Sequence, residues 1–552
     1  MKYITLFFIF FFLTFNLQAE NGQDSTQSDT NISDTNTKGS VYQARKFRDI
    51  LNLIDKSYRK ELDIDSLAEA TFKAMLQSLD KFSHFYDKEE LEAQNRTDEG
   101  KSVGMGFNYL TVDGFPIIYD VFPNSPAATQ KTDGVTLKSG MKIIQIDTFR
   151  VEGNSLSGFT DLLEGEPGTK SEIIVKFLGE LDTFHITREE YVSPSLELAT
   201  TLSYEDKKGM YISLTRWSAE TYDEVTIAIE KHFQTAAPDF IVWDVRGNLG
   251  GRLNAARDIS DLYLDTGKVV TQTKSRDSRF DLTITTSQPP KYNGTPTIVL
   301  VDENSASASE IFAGVIQDYD LGLIVGAYTY GKGIVQNTWD FNDSTAVRFT
   351  VASYATPSGR EVQPDRKFDP KSIDESIFFG MTEEQKQSLL KSMEQVGGTE
   401  KAKIYQSEKG RSIYELKGIS PDLFLSNPEH TKMHQLLDRK KLYFIFGYVL
   451  IRDNKEYYTT LKSQGEESFL STWLPSEKEL STFIALCKSN NLWNEEMYAE
   501  DKETILLNIK SAFAGILFNG ATRKKMLEIN STWVKSLPKY IEESKKIIKG
   551  ES

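Results

Sequence analysis

Three short stretches of the chain hold residues whose types and spacing could carry acyl chemistry. The first reads Asp302-Glu303-Asn304-Ser305-Ala306-Ser307-Ala308-Ser309-Glu310-Ile311. An apolar strand pattern ends at Asp302, small residues follow, and Ile311, Phe312, Val315 and Ile316 then recur at helical spacing. A serine at such a junction lies at a helix N-terminus, where free N–H groups point outward and the dipole favours negative charge. A hydroxyl that attacks a carbonyl needs donors for the developing oxyanion and a base for its own proton. Taken alone, the stretch also reads as a serine cap on a tightly packed small-residue helix.

The second stretch is Gly331-Lys332-Gly333-Ile334-Val335-Gln336. A lysine between glycines has a free backbone and no bulky neighbours. If it is buried, desolvation disfavours its charge, and the neutral amine can serve as a general base. No histidine lies near either stretch, so a Ser-His-Asp triad has no candidate, whereas Ser-Lys is a recognised variant of that arrangement. The third stretch, Asp244-Val245-Arg246-Gly247-Asn248-Leu249-Gly250-Gly251, joins a strand pattern to a helix pattern. Its paired glycines let backbone N–H groups approach a substrate oxygen. As isolated motifs, a glycine-flanked surface lysine and a glycine-rich turn are the plainer readings of these two.

The elements that must position these residues follow from periodicity and punctuation. Residues 41–98 carry helical spacing. From residue 100 the texture turns to short strands at 106–111, 117–121, 142–146 and 172–177, separated by Asp113-Gly114, Pro123-Asn124-Ser125-Pro126 and Glu166-Pro167-Gly168. From about residue 193 to 357, apolar strands at 240–245, 297–302, 323–327 and 346–354 alternate with helices at 222–233, 253–264 and 308–317, which predicts an α/β core. Residues 429–552 are helical again and rich in Lys and Glu.

Composition excludes several classes. The chain has 552 residues, 80 acidic against 64 basic, and a formal charge of −16, so it repels nucleic-acid phosphates. A single cysteine, Cys487, rules out an internal disulfide framework and a cysteine-rich zinc site. Of five histidines only His430 and His434 have metal-like spacing, and Thr431 stands where a zinc-protease motif needs glutamate. They are read as two surface histidines on one helix. Residues 1–19 read as a cleaved signal peptide: Lys2, an apolar run, then Ala19. That run is too short to cross a bilayer. Residues 20–40 are a flexible polar leader.

In this order the three stretches resemble the C-terminal processing (tail-specific) proteases, secreted serine peptidases with a Ser-Lys dyad and an inserted PDZ domain. The resemblance covers roughly residues 45–425 and extends to Leu79-Asp80-Lys81-Phe82-Ser83, to Tyr354-Ala355-Thr356-Pro357-Ser358-Gly359-Arg360 and to Gly418-Ile419-Ser420-Pro421-Asp422. It implies a crotonase-like α/β core at 191–425, interrupted by an insertion at about 365–410, with the PDZ domain at 99–190; the helical regions at 41–98 and 429–552 rest on periodicity, and the second carries no family motif. By the family pattern Ser307 is the nucleophile, Lys332 the base and Gln336 a support for the lysine. Ala308 and either Gly250 or Gly251 supply the oxyanion donors. Gly104-Met105-Gly106-Phe107 is similar to the loop that takes a free C-terminal carboxylate, through an anion nest and an adjoining strand edge.

Three positions depart from the pattern. Leu249 stands for a usual proline, Met141 for a usual aspartate and Thr148 for a usual glycine.

The expected protein is an exported, periplasmic serine endopeptidase that needs no cofactor or metal. It takes protein or peptide substrates with free apolar C-termini and binds no nucleic acid. Its helical ends are surfaces for a homo-oligomer or an adaptor. The rival readings are a non-catalytic PDZ tail-binding scaffold and a crotonase-fold enzyme acting on an acyl thioester. The second usually needs a carboxylate base and has no use for the Gly-Lys-Gly pairing.

Overall fold

The computed structural model describes residues 39–177, 179–234, 236–363, 403–425 and 430–551. The expected signal peptide, most of the expected leader and most of the expected insertion fall outside these residues. Among the described residues no helix is long and apolar enough to cross a membrane.

The chain begins with helices Ser40–Ser57, Ile64–Gln77 and Lys88–Asp98. Asp63 caps the second by accepting from the Asp65 and Ser66 N–H groups, and Asp87 with Glu90 forms a capping box on the third. Strand His84–Tyr86 leaves this region and pairs antiparallel with strand Ala346–Ala355, stitching the helices to a five-stranded sheet.

The β-rich module follows. Its sheet runs Phe107–Val112, Phe115–Val121, Lys142–Ile146, Lys170–Phe177, Glu180–Thr187 in spatial order. Asp113 and Gly114 both take positive φ, 50° and 78°, as a two-residue hairpin turn that matches strand twist requires. Met105, Ile118, Ile143, Ile173 and Phe184 fill one side of the sheet.

The α/β core is built on a six-stranded sheet ordered Leu196–Tyr204, Lys207–Leu214, Ile241–Asp244, Thr297–Val301, Leu323–Gly326, Leu423–Phe424. The first pair is antiparallel and the rest are parallel. Both faces are covered, which is why its central strands are unbroken apolar runs. Trp243 and Val299 face helix Ala308–Asp318, with Phe312 5.2 Å from the Trp243 ring. Val242, Ile298 and Leu300 face the C-terminal residues Trp533, Leu537 and Ile541.

The predicted elements differ from the observed ones mainly at their ends. The helix expected at 253–264 stops at Ser260, where Ser260 Oγ turns back onto Ala256 O at 2.7 Å. Asp422, from the Gly418–Asp422 motif, accepts from the Ile324 N–H at 2.8 Å just before the last strand adds to the sheet edge.

The C-terminal region is all helix, centred on Leu442–Asp453 and Glu495–Leu517. It packs on Val112 and Ile117 of the β-rich module, with Phe444 edge-on to Tyr119 at 4.9 Å. His430 and His434 are not the surface pair on one helix that their spacing suggests. His434 is buried, bonded through Nδ1 to the Tyr443 hydroxyl at 2.7 Å, and only His430 is half-exposed, 3.3 Å from Asp501. Burial lowers the His434 imidazole from its ordinary range, which favours the neutral ring.

Candidate active site

Ser307 lies between strand Thr297–Val301 and helix Ala308–Asp318, as the N-cap of that helix, with φ 59° and ψ −113°. For a residue with a Cβ this conformation costs about 1–3 kcal/mol and persists only if the surroundings enforce it. They do so from three sides. The Ser307 N–H donates to Glu310 Oε2 at 2.8 Å, and its carbonyl accepts from the Ile311 N–H at 2.9 Å and the Tyr354 hydroxyl at 3.2 Å. Gly250 packs so close that a Cβ there would lie 2.8 Å from Ser307 Cβ. The side chain is fully buried, and Oγ bonds to no described residue, Lys332 included.

Glu310 joins the serine to the lysine loop. Its Oε1 accepts from Thr329 Oγ1 at 2.5 Å and the Gly331 N–H at 2.7 Å. Oε2, besides the Ser307 N–H, accepts from the Lys332 N–H at 2.9 Å. Burial pushes this carboxyl up, the four hydrogen bonds pull it down, and burial prevails. The Tyr354 hydroxyl bridges the same two segments, touching the Ser307 and Lys332 carbonyls. Burial and the nearby Glu310 raise that phenol well above its ordinary range.

Lys332 is 5% exposed, with Nζ 5.3 Å from the centre of the Phe82 ring. Gln336, on strand Ile334–Asp340, donates from Nε2 to Phe82 O at 2.7 Å. It thus holds the segment whose ring covers the amine. Its Oε1 is buried without a partner among the described residues. Asp80 Oδ1 shapes that segment by accepting from the Phe82 and Ser83 N–H groups, both at 2.8 Å.

The two glycines of the third stretch differ. The Gly250 N–H donates to Asn248 Oδ1 at 2.9 Å, while Asn248 Nδ2 donates to Leu214 O at 3.0 Å. Gly251, at φ 147°, lies against Trp217, where a Cβ would meet the Trp217 carbonyl at 2.1 Å. Ala308 N is 3.3 Å from where a Gly250 Cβ would stand, so the glycine loop and the helix N-terminus meet at Ser307. Asp302 Oδ1 ties the loops together, accepting from the Gly247 N–H at 2.9 Å and from the Asn304 and Ser305 N–H groups at 3.0 Å.

The Gly104–Phe107 loop belongs to a different body. Met105 and Phe107 lie in the β-rich module's own cluster, apart from the cluster around Ala308. Of the four residues, Met105 already spends its N–H on Leu163 O at 3.0 Å. Strand Phe107–Val112 is the edge of its sheet, and Tyr109 meets Phe159 of helix Phe159–Leu163 at 4.9 Å between ring centres.

Glu310, Tyr354 and Asn248 carry much of this geometry, and no role was read for them in the sequence.

Residues 208–370 match Peptidase family S41. The chain is 28% identical over 310 residues to the carboxy-terminal processing protease CtpA of Bacillus subtilis (strain 168), spanning 55% of its own length but only 64% of that relative's. It is 28% identical over 339 residues to the carboxy-terminal-processing protease of Bartonella bacilliformis, covering 60% of this chain and 75% of that one. Among solved structures, the photosystem II D1 C-terminal processing protease is 25% identical, covering 59% of this chain and 93% of that chain, with a TM-score of 0.34.

Proposed function

We propose that this chain is a serine-type endopeptidase that selects protein substrates by their C-terminal tails and cleaves them through Ser307 and Lys332. One observation carries the reading. A buried serine hydroxyl with no partner stands at a helix N-terminus in a strained backbone, tied through Glu310 to the loop of a buried lysine. Strained strand-to-helix turns of this kind present nucleophiles.

In the proposed reaction Lys332, buried against Phe82, acts as the general base and takes the Ser307 proton. Oγ attacks the scissile carbonyl, and the Ala308 and Gly251 N–H groups receive the oxyanion. Gly251 is preferred because the Gly250 N–H is committed to Asn248. The protonated lysine then protonates the leaving amine, and water hydrolyses the acyl-enzyme. Ser307 and Lys332 share no hydrogen bond in this structure, so substrate must close the gap, as is common for unliganded sites.

The core is read as crotonase-like and the β-rich module as an inserted PDZ domain. A tail pairs with the edge strand Phe107–Val112 and sets its carboxylate on the Gly104–Phe107 loop. For that the Met105 N–H must exchange its bond with Leu163 O. Residues 1–19 export the chain, and the periplasm is its proposed compartment.

Ser307→Ala and Lys332→Ala should each abolish cleavage of an apolar-tailed peptide with circular dichroism unchanged. Wild-type rates in either variant would reject the dyad. The open Ser307–Lys332 pair is also what a non-catalytic tail-binding scaffold would show. Covalent labelling of Ser307 by a fluorophosphonate separates the two.

A further inference from the structure

We infer that helix Gly520–Ile529 is a strut between the β-rich module and the Arg246–Gly251 loop, and that Glu528 is a positioning residue for that loop. The consequence for catalysis rests on the reading of this loop as an oxyanion donor; the mechanical part does not.

Each end of the helix grips a different body. At its start Gly520 lies against Asp120 of strand Phe115–Val121, where a Cβ would come 2.5 Å from Asp120 Oδ1. One turn on, the Arg523 guanidinium stacks 4.6 Å from the centre of the Tyr119 ring and donates to the Tyr119 hydroxyl. Midway, Lys524 pairs with Glu197 of strand Leu196–Tyr204 at 3.1 Å. At its end Glu528 Oε2 accepts from Arg246 at 2.8 Å and from the Trp533 indole at 3.4 Å.

Arg246 in turn is clamped on Asp244, with Nε donating to Oδ1 at 2.9 Å. The next residue, Gly247, is bonded to Asp302, and Gly250 and Gly251 follow three and four residues later. From Gly520 to Glu528 the helix rises about 12 Å. A stiff element bonded at both ends passes a displacement of one body to the other. The link reaches the backbone that meets Ser307, not merely the periphery of the core.

The test compares the wild-type chain with Glu528→Gln and Arg523→Gln by hydrogen exchange and steady-state kinetics. Both variants should speed amide exchange across residues 246–251 about tenfold. Exchange within helix Ala308–Asp318 should not change. On a tail peptide both should lower kcat with KM unmoved, and the double variant should lose little more than Glu528→Gln alone. If Arg523→Gln loses its fold, Tyr119→Phe weakens the same end more gently. Wild-type exchange of the loop in Arg523→Gln or Tyr119→Phe, or effects that merely add, overturns the strut. Exchange is read whether or not the chain is active, so a failure of the peptidase reading appears separately, as wild-type protein that neither cleaves nor labels.

Discussion

At the scale of single residues, Glu310 is the group on which the site closes. One carboxylate gathers donors from Ser307, Thr329, Gly331 and Lys332, so the nucleophile and the base are fixed by the same two oxygens. Glu310→Gln keeps the shape but turns an amide NH2 toward one of the two donor pairs. Each orphaned donor costs about 1–3 kcal/mol, which urea unfolding would read as a lowered midpoint. Acylation of Ser307 by a fluorophosphonate should slow about 100-fold as the two segments part. Unchanged labelling would remove Glu310 from the machinery.

The residue was within reach of the sequence. Ser307-Ala308-Ser309-Glu310 has capping-box spacing, and a carboxylate beside Ile311 and Phe312 on an apolar helix asks for a partner. Ser307 and Lys332 stood out by their small neighbours. Its other partners, Thr329, Gly331 and Lys332, lie 19 to 22 residues away and meet it only through the fold.

At the scale of elements, the ends of adjacent parallel strands do the positioning. Asp244 closes strand Ile241–Asp244, and Asp302 follows strand Thr297–Val301; each caps the loop that comes after it. The strand segments were visible as apolar runs, but their neighbours were not, because alternation shows that a face is buried and never by what.

Asp244 gives a pH signature. Burial pushes its carboxyl up, the Arg246 guanidinium and the Tyr211 hydroxyl pull it down, and the net shift is downward from 3.8. Its stabilisation is therefore complete above the ordinary carboxylate range and is lost as pH falls through the lower folded-state value. Asp244→Asn should cost about 3 kcal/mol near neutrality. The gap to wild type should narrow only below about pH 3.8. A gap that stays constant through acid would mean the carboxylate's charge is not what holds Arg246.

At the scale of the whole molecule, the C-terminal helices were legible as helices and opaque in purpose. Their apolar faces show in the sequence at 442–451, 483–486 and 505–518, yet what they cover does not: helices Leu442–Asp453 and Glu495–Leu517 lie on Val112 and Ile117, and Trp533, Leu537 and Ile541 lie on Tyr211, Phe240 and Ile298, all far back along the chain. Nothing in local spacing names a partner so distant. Because one continuous helical region roofs the β-rich module with its earlier helices and the core sheet with its last ones, neither body can shed its cover without pulling on the other. Scanning calorimetry should therefore record one endotherm, with van't Hoff and calorimetric enthalpies in agreement. Two separated peaks would mean that each body carries its own melting point and that the roof is only leaning on them.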